Sequence, residues 1–156
     1  RIAYVSGPED LYISKKRKEG YLKALAEYNI PQDNDLIFIT NLTLEGNRKI
    51  SEEIIAMPNR PDAIFAMIDP LAIDIMTVLK ENNIKIPDEI ALAGFTNNPT
   101  SAVIDPSLTT VSQPGYEIGL ISANHLIDII EEVVPNEEKL FSLNTTLIAR
   151  NSTKKT

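Results

Sequence analysis

The chain has 156 residues, 22 acidic against 15 basic, and a formal charge of -7, so it lacks the basic face with which a freestanding nucleic-acid-binding module neutralises phosphates. Its length fits one domain, enough to bury roughly 70% of the unfolded surface in a single core without a covalent staple. Cysteine is absent and His125 is the single histidine, which excludes disulfide scaffolds, thiolate chemistry and an ordinary zinc site, so neither metal nor cofactor is expected.

Arg1 leads directly into an apolar run over residues 2–5. The sequence therefore opens inside a strand, lacks an initiator Met and reads as a fragment of a longer chain. Similar runs, rich in β-branched and aromatic residues, cover 36–40, 63–67 and 90–95, and none alternates cleanly between apolar and polar. That pattern predicts strands buried on both faces, as in a parallel sheet. Between them, Tyr21, Ala24, Leu25 and Tyr28 fall at i, i+3, i+4, i+7, and Ala72, Ile75, Met76 and Leu79 repeat the spacing, which predicts helices. The stretch 44–57, with Ile50, Ile54 and Ile55, is a weaker helical pattern. Asn29-Ile30-Pro31 and Pro58 stop the first two helices, and Asp69-Pro70 reads as an N-cap followed by Pro at the first helical position. The order βαβαβαβ predicts an α/β fold with a doubly wound parallel sheet.

Past Phe95 the turn formers Thr96 to Ser101 precede an extended piece, Leu108-Thr109-Thr110-Val111. A helix is expected from Gly115 to about Val133, with Ile118, Ile121, Leu126, Ile129 and Ile130 on a broad apolar face. A returning strand is expected over 140–149, followed by a polar tail over 151–156. No apolar run approaches the ~18 residues of a membrane helix.

In open α/β sheets a ligand sits beyond the carboxyl ends of the strands. That rule selects Ser6 and Gly7, Asn41, Ile68 and Asp69, and Thr96 and Asn97. Ser14 reads as the first helix's N-cap, followed by Lys15, Lys16, Arg17 and Lys18. Cations there oppose the helix dipole; they fit either an anionic or hydroxyl-rich ligand or a solvated basic face. Arg17 is the better ligand candidate, because its planar fork suits adjacent hydroxyls or a carboxylate. Asp69 is explained by capping without any ligand, and His125 by a structural role. Signatures for dinucleotide, phosphate-loop or nucleophile-elbow chemistry are missing, and the acidic loop Ser6-Gly7-Pro8-Glu9-Asp10 would repel a phosphate. Three glycosylation sequons, at Asn41, Asn144 and Asn151, are of the kind an Asn-rich chain produces by chance.

Six segments, taken in order, resemble the effector-binding region of the lactose/galactose repressor family of bacterial transcription regulators, whose core is similar to periplasmic sugar-binding proteins. They are Ile2-Ala3-Tyr4-Val5-Ser6-Gly7-Pro8, Arg17-Lys18-Glu19-Gly20-Tyr21-Leu22-Lys23-Ala24-Leu25, Pro61-Asp62-Ala63-Ile64-Phe65-Ala66, Ile86-Pro87-Asp88-Glu89-Ile90-Ala91-Leu92-Ala93-Gly94-Phe95, Pro106-Ser107-Leu108-Thr109-Thr110-Val111-Ser112-Gln113-Pro114 and Leu147-Ile148-Ala149-Arg150-Asn151-Ser152-Thr153. The resemblance implies a periplasmic-binding-protein-like fold, with 1–98 and 134–156 forming most of a C-terminal subdomain and 105–133 belonging to an N-terminal one. It also implies a DNA-binding head outside this fragment, a cytoplasmic homodimer, and a small-molecule effector, a sugar or related metabolite, in the cleft.

Carried over by position, the family's effector-contacting arginine falls on Arg17 and the polar residue after the Leu-Thr-Thr-hydrophobic strand on Gln113. The Asn or Ser before the helix-capping Asp69 is replaced by Ile68, and the Asp after Gly-Phe by Thr96. Both changes remove hydrogen-bonding capacity towards a ligand, so the expected effector has an apolar or less hydroxylated edge near Ile68. Asn41 completes the expected effector-contacting set with Asp69. The rival reading is an exported solute-binding protein of a sugar transporter, which a signal peptide in place of a helix-turn-helix would favour. An enzyme on the same fold is disfavoured by the missing nucleophile, base and cofactor fingerprint.

Overall fold

A computed structural model describes residues 1–135, 137 and 139–154. The chain runs β1 (Ile2–Ser6), α1 (Tyr12–Glu27), β2 (Ile37–Ile39), α2 (Leu44–Ala56), β3 (Ala63–Ala66), α3 (Asp69–Glu81), β4 (Ala91–Ala93), α4 (Thr100–Val103), β5 (Thr110–Ser112), α5 (Gly115–Ile130) and β6 (Thr146–Ile148). The first four strands form one sheet in the order β2-β1-β3-β4, and all of its pairings are parallel. Tyr4 of β1 lies in register with Ile37 on one side and Phe65 on the other. A parallel bridge from Ala93 to Thr109 carries the sheet order one position further. The expected doubly wound parallel sheet is therefore present.

Side-chain alternation sorts the strands onto two layers. Ala3, Val5, Ile64, Ala66 and Leu92 face α2 and α3, where they pack with Ile54, Leu71, Ala72, Ile75, Met76 and Leu79. Tyr4 faces α1 and packs with Tyr21, Leu25 and Met67. Tyr4 stacks on Tyr21 at 5.2 Å between ring centroids, and the Tyr21 hydroxyl donates to the Ile2 carbonyl at 2.8 Å. Because both faces are covered, the β1 strand is almost wholly buried, and its sequence carries no polar alternation.

The α3 periodicity is realised in full, with Ala72, Ile75, Met76 and Leu79 all buried. On α1 only Tyr21 and Leu25 are buried from the expected set; Ala24 and Tyr28 instead line an open apolar groove of about 830 Å³ with Phe65 and Phe95.

Several local expectations need correction. Ser14 is not a cap: α1 begins two residues earlier, with Leu11 at the N-cap position making no side-chain bond. The buried Ser14 hydroxyl donates instead to the Met67 sulfur at 3.3 Å. Asp69 is not a cap either; it is the first helical residue of α3, and Ile68 holds the cap position without a side-chain bond.

The expected helix to Val133 ends at Ile130, and the expected strand over 140–149 narrows to β6, the only part of it that pairs. There β6 runs antiparallel to β5, with Thr110 opposite Ile148 and Ser112 opposite Thr146. The anticipated polar tail carries structure too. Asn151–Thr153 form a 3-10 turn in which Ser152 is fully buried, accepting from the Thr109 N–H at 2.8 Å and donating to the Leu92 carbonyl at 2.6 Å. No helix among the described residues is long and apolar enough to cross a membrane.

Candidate functional site

The carboxyl ends of β1, β3 and β4 open on one edge of the sheet, and α1 brings Arg17 to them. Arg17 lies in the second turn of α1, on the side facing the ends of β3 and β4. Its Nη1 donates to the Met67 carbonyl at 2.7 Å, and its guanidinium lies over the Phe95 ring at 4.0 Å from the centroid. Stacking on an aromatic face holds the fork in one plane. Neither Nη2 nor Nε bonds to any described residue, so donors on the stacked, half-buried fork remain available. Burial pushes the guanidinium below the ordinary arginine value, while Tyr4 and Asp69 pull it back; an arginine so placed stays charged at neutral pH.

Ile68 and Thr96 directly follow the two residues that Arg17 engages, Met67 and Phe95. The Asp69 N–H donates to the Phe95 carbonyl at 2.9 Å, which ties the start of α3 to the loop after β4. Ile68 is partly buried and packs against both core layers. Thr96 is exposed and has a φ of 124°, a conformation that a β-branched residue rarely adopts. The fold thus brings Arg17, Ile68, Asp69 and Thr96 together, although they are distant in sequence.

Asp69 occupies this group in another way than expected. It is fully buried, and its carboxylate accepts from the Asn98 N–H at 2.7 Å, the Ser101 hydroxyl at 2.7 Å and the Thr110 hydroxyl at 2.5 Å. All three partners lie in later segments, so the carboxylate braces the floor of the site. Gly94 makes room for it, since a Cβ there would collide with Asp69 Oδ1.

Asn41 and Gln113 lie outside this group. Asn41 Oδ1 accepts from the Thr43 N–H and hydroxyl, and Thr43 in turn caps α2 by accepting from the Gly46 N–H at 3.1 Å. Its side chain is therefore engaged in a local turn. Gln113, just past β5, is exposed; its carbonyl accepts from the Gly115 N–H, and its side chain makes no bond to a described residue.

Lys16 and Lys18 form exposed or half-exposed pairs with Glu19 and Glu9, in keeping with a solvated basic face. His125 packs edge-on against Phe141 at 5.3 Å. Among the described residues no group of three or more His, Asp or Glu could hold a metal.

Sequence reasoning missed Ser101, Thr110 and Arg150. Arg150 Nη2 donates to Asn97 Oδ1 at 2.8 Å and its Nη1 to the Leu108 carbonyl at 2.7 Å. The only local signal for this network was the density of turn formers after Phe95, which marks a loop but names no partner.

Residues 1–153 match the periplasmic binding protein-like domain. The chain is 32% identical over 154 residues to the probable HTH-type transcriptional repressor ExuR of Bacillus subtilis, covering 99% of this chain and 46% of that protein. It is 31% identical over 155 residues to the HTH-type transcriptional repressor CytR of Escherichia coli, covering 99% of this chain and 45% of that one. Among solved structures, a transcriptional regulator CelR–cellobiose complex superposes with a TM-score of 0.89 at 27% identity, over 97% of this chain and 46% of the other. A regulatory protein of the LacI family from Chloroflexus aggregans gives 0.89 at 30% identity, over 97% and 54%. The chain spans about half the length of the curated relatives it matches, and those relatives are repressors rather than enzymes.

Proposed function

Since the chain belongs to the periplasmic-binding-protein-like domain family, in company with LacI-type repressors, we propose that it is the effector-binding and dimerisation region of a cytoplasmic bacterial transcription regulator. On this reading 1–98 and 134–156 form most of the C-terminal subdomain, and 105–133 belong to the N-terminal one. A separate helix-turn-helix head contacts operator DNA. The effector is a small metabolite, a carbohydrate or a close relative.

The observation that carries the reading is Arg17. A half-buried guanidinium, stacked on Phe95 at 4.0 Å with donors left over at the carboxyl ends of parallel strands, is a prepared binding group for hydroxyls or a carboxylate. Ile68 and Thr96 beside it present an apolar edge and one hydroxyl, which favours an effector less hydroxylated on that side. Gln113 and Asn41 would meet it from the cleft rim, and Asp69 acts by holding the floor. Effector bound between the subdomains favours one hinge angle, and the dimer passes that preference to the DNA-binding heads because the two states bind effector differently. The rival reading as an exported solute-binding protein draws no support from the relatives named above, which are repressors.

Calorimetric titration of the intact regulator with glucose, galactose, ribose, cellobiose and adenosine tests this. One class of probe is expected to bind, and Arg17→Ala is expected to weaken it roughly 10- to 100-fold, the loss of a charge-assisted hydrogen bond. Binding that is indifferent to Arg17→Ala would sink the assigned role.

A further inference from the structure

We propose that Asn97 and Arg150 form the joint that makes the loop after β4 and the antiparallel pair β5 and β6 move as one unit. The regulatory meaning of this joint rests on the effector reading above, because only that reading makes the loop a ligand-contacting element. The joint itself stands on geometry.

Thr96 and Asn97 are consecutive non-glycine residues at φ 124° and 52°. Such a pair persists only where the surroundings over-determine it. Here they do. The Thr96 N–H donates to the Val111 carbonyl at 2.9 Å, and the Asn97 N–H to the Thr110 hydroxyl at 3.1 Å, so the backbone of the loop is pinned to β5. The Asn97 amide then reaches β5 and the segment just past β6 at once. Its Nδ2 donates to the Ser112 hydroxyl of β5 at 3.4 Å, and its Oδ1 accepts from Arg150 Nη2 at 2.8 Å, two residues past the end of β6. Arg150 closes the ring: Nη1 donates to the Leu108 carbonyl at 2.7 Å, and its backbone N–H to the Thr109 hydroxyl at 2.7 Å.

A carboxamide is suited to this position because it offers a donor and an acceptor on one planar group. Asp would keep the acceptor for Arg150, and the Ser112 hydroxyl could turn to donate to its second oxygen. Gly would satisfy the φ of 52° without strain and lose both bonds. If a ligand against Thr96 shifts the loop between two arrangements, β5 and β6 must follow, and a movement of those strands must alter the loop in return, since coupling is reciprocal.

Hydrogen exchange of the 156-residue chain, with no ligand, tests the joint. With Asn97→Gly the amides of β5 and β6 are expected to exchange about tenfold faster, while those of β1 and β3 stay within about twofold of wild type. Arg150→Met is expected to match it, with the double variant no faster than either single one, and Asn97→Asp to stay within about threefold of wild type. Wild-type exchange in Asn97→Gly would overturn the proposal by showing that Asn97 serves the backbone conformation alone. Additive effects of the two single variants, or equal acceleration in β1 and β3, would overturn it as well. Because no effector enters this experiment, the joint can stand or fall independently of the titration with Arg17→Ala.

Discussion

Asp69 gathers donors from three places, the Asn98 N–H, the Ser101 hydroxyl and the Thr110 hydroxyl, while itself lying fully buried. A single side chain thus joins the start of α3, the start of α4 and the start of β5. Removing it strands buried donors, the costly direction of the hydrogen-bond asymmetry. Asp69→Ala is expected to lower stability by about 3–5 kcal/mol, read as a shift of the urea midpoint at constant slope. Asp69→Asn is expected to cost less, because the Thr110 hydroxyl can rotate to accept from the amide, whereas the Asn98 N–H cannot change its role. A cost for Asp69→Ala no larger than that of an exposed substitution would show that the buried network is dispensable. In sequence, Asp69-Pro70 carried the cue of a helix start and nothing else, since its partners lie 29 to 41 positions away.

At the scale of elements, two segments near the end of the chain exchange the importance their sequences suggest. The helix α5 is rich in isoleucine, yet no residue of it is buried, and Leu126 and Ile130 are largely exposed. The polar Asn151–Thr153 turn, by contrast, inserts Ser152 between β4 and the strand at Thr109. Ser152→Ala is expected to cost about 1–3 kcal/mol in chemical unfolding, whereas Leu126→Ala is expected to stay within about 0.5 kcal/mol of wild type. The reverse order of costs would mean that α5 packs onto the folded sheet. Periodicity located α5 correctly, because an apolar helical face is visible in sequence wherever its partner lies; it could not tell that, among the described residues, this face is covered only in part, as where Phe141 packs on His125.

For the whole molecule, the net charge of -7 predicts that these 156 residues do not bind duplex DNA in a gel-shift assay at ~50 mM salt, where counterion release most favours binding. Retardation at that salt would place a DNA contact within this region. The order and type of the main elements, the parallel character of the sheet, and the burial of the α3 stripe were determined by the sequence alone. Each follows from local patterning: continuous apolar runs for strands covered on both faces, 3.6-residue spacing for helices, and Pro or Asn where they stop. The rule that places sites beyond strand ends likewise selected Ile68, Asp69, Thr96 and Asn97, and the planar fork of Arg17 marked it as a ligand candidate, to which the resemblance added an effector-contacting role. Only the tertiary structure decided what those residues do. It turned Asp69 from a helix cap into a brace, set Ser14 inside α1, engaged Asn41 in a turn, and paired Asn97 with Arg150 across 53 positions. A hydrogen bond between distant segments leaves no periodic trace in the chain, because its energy depends on two directions in space that the fold alone brings into line.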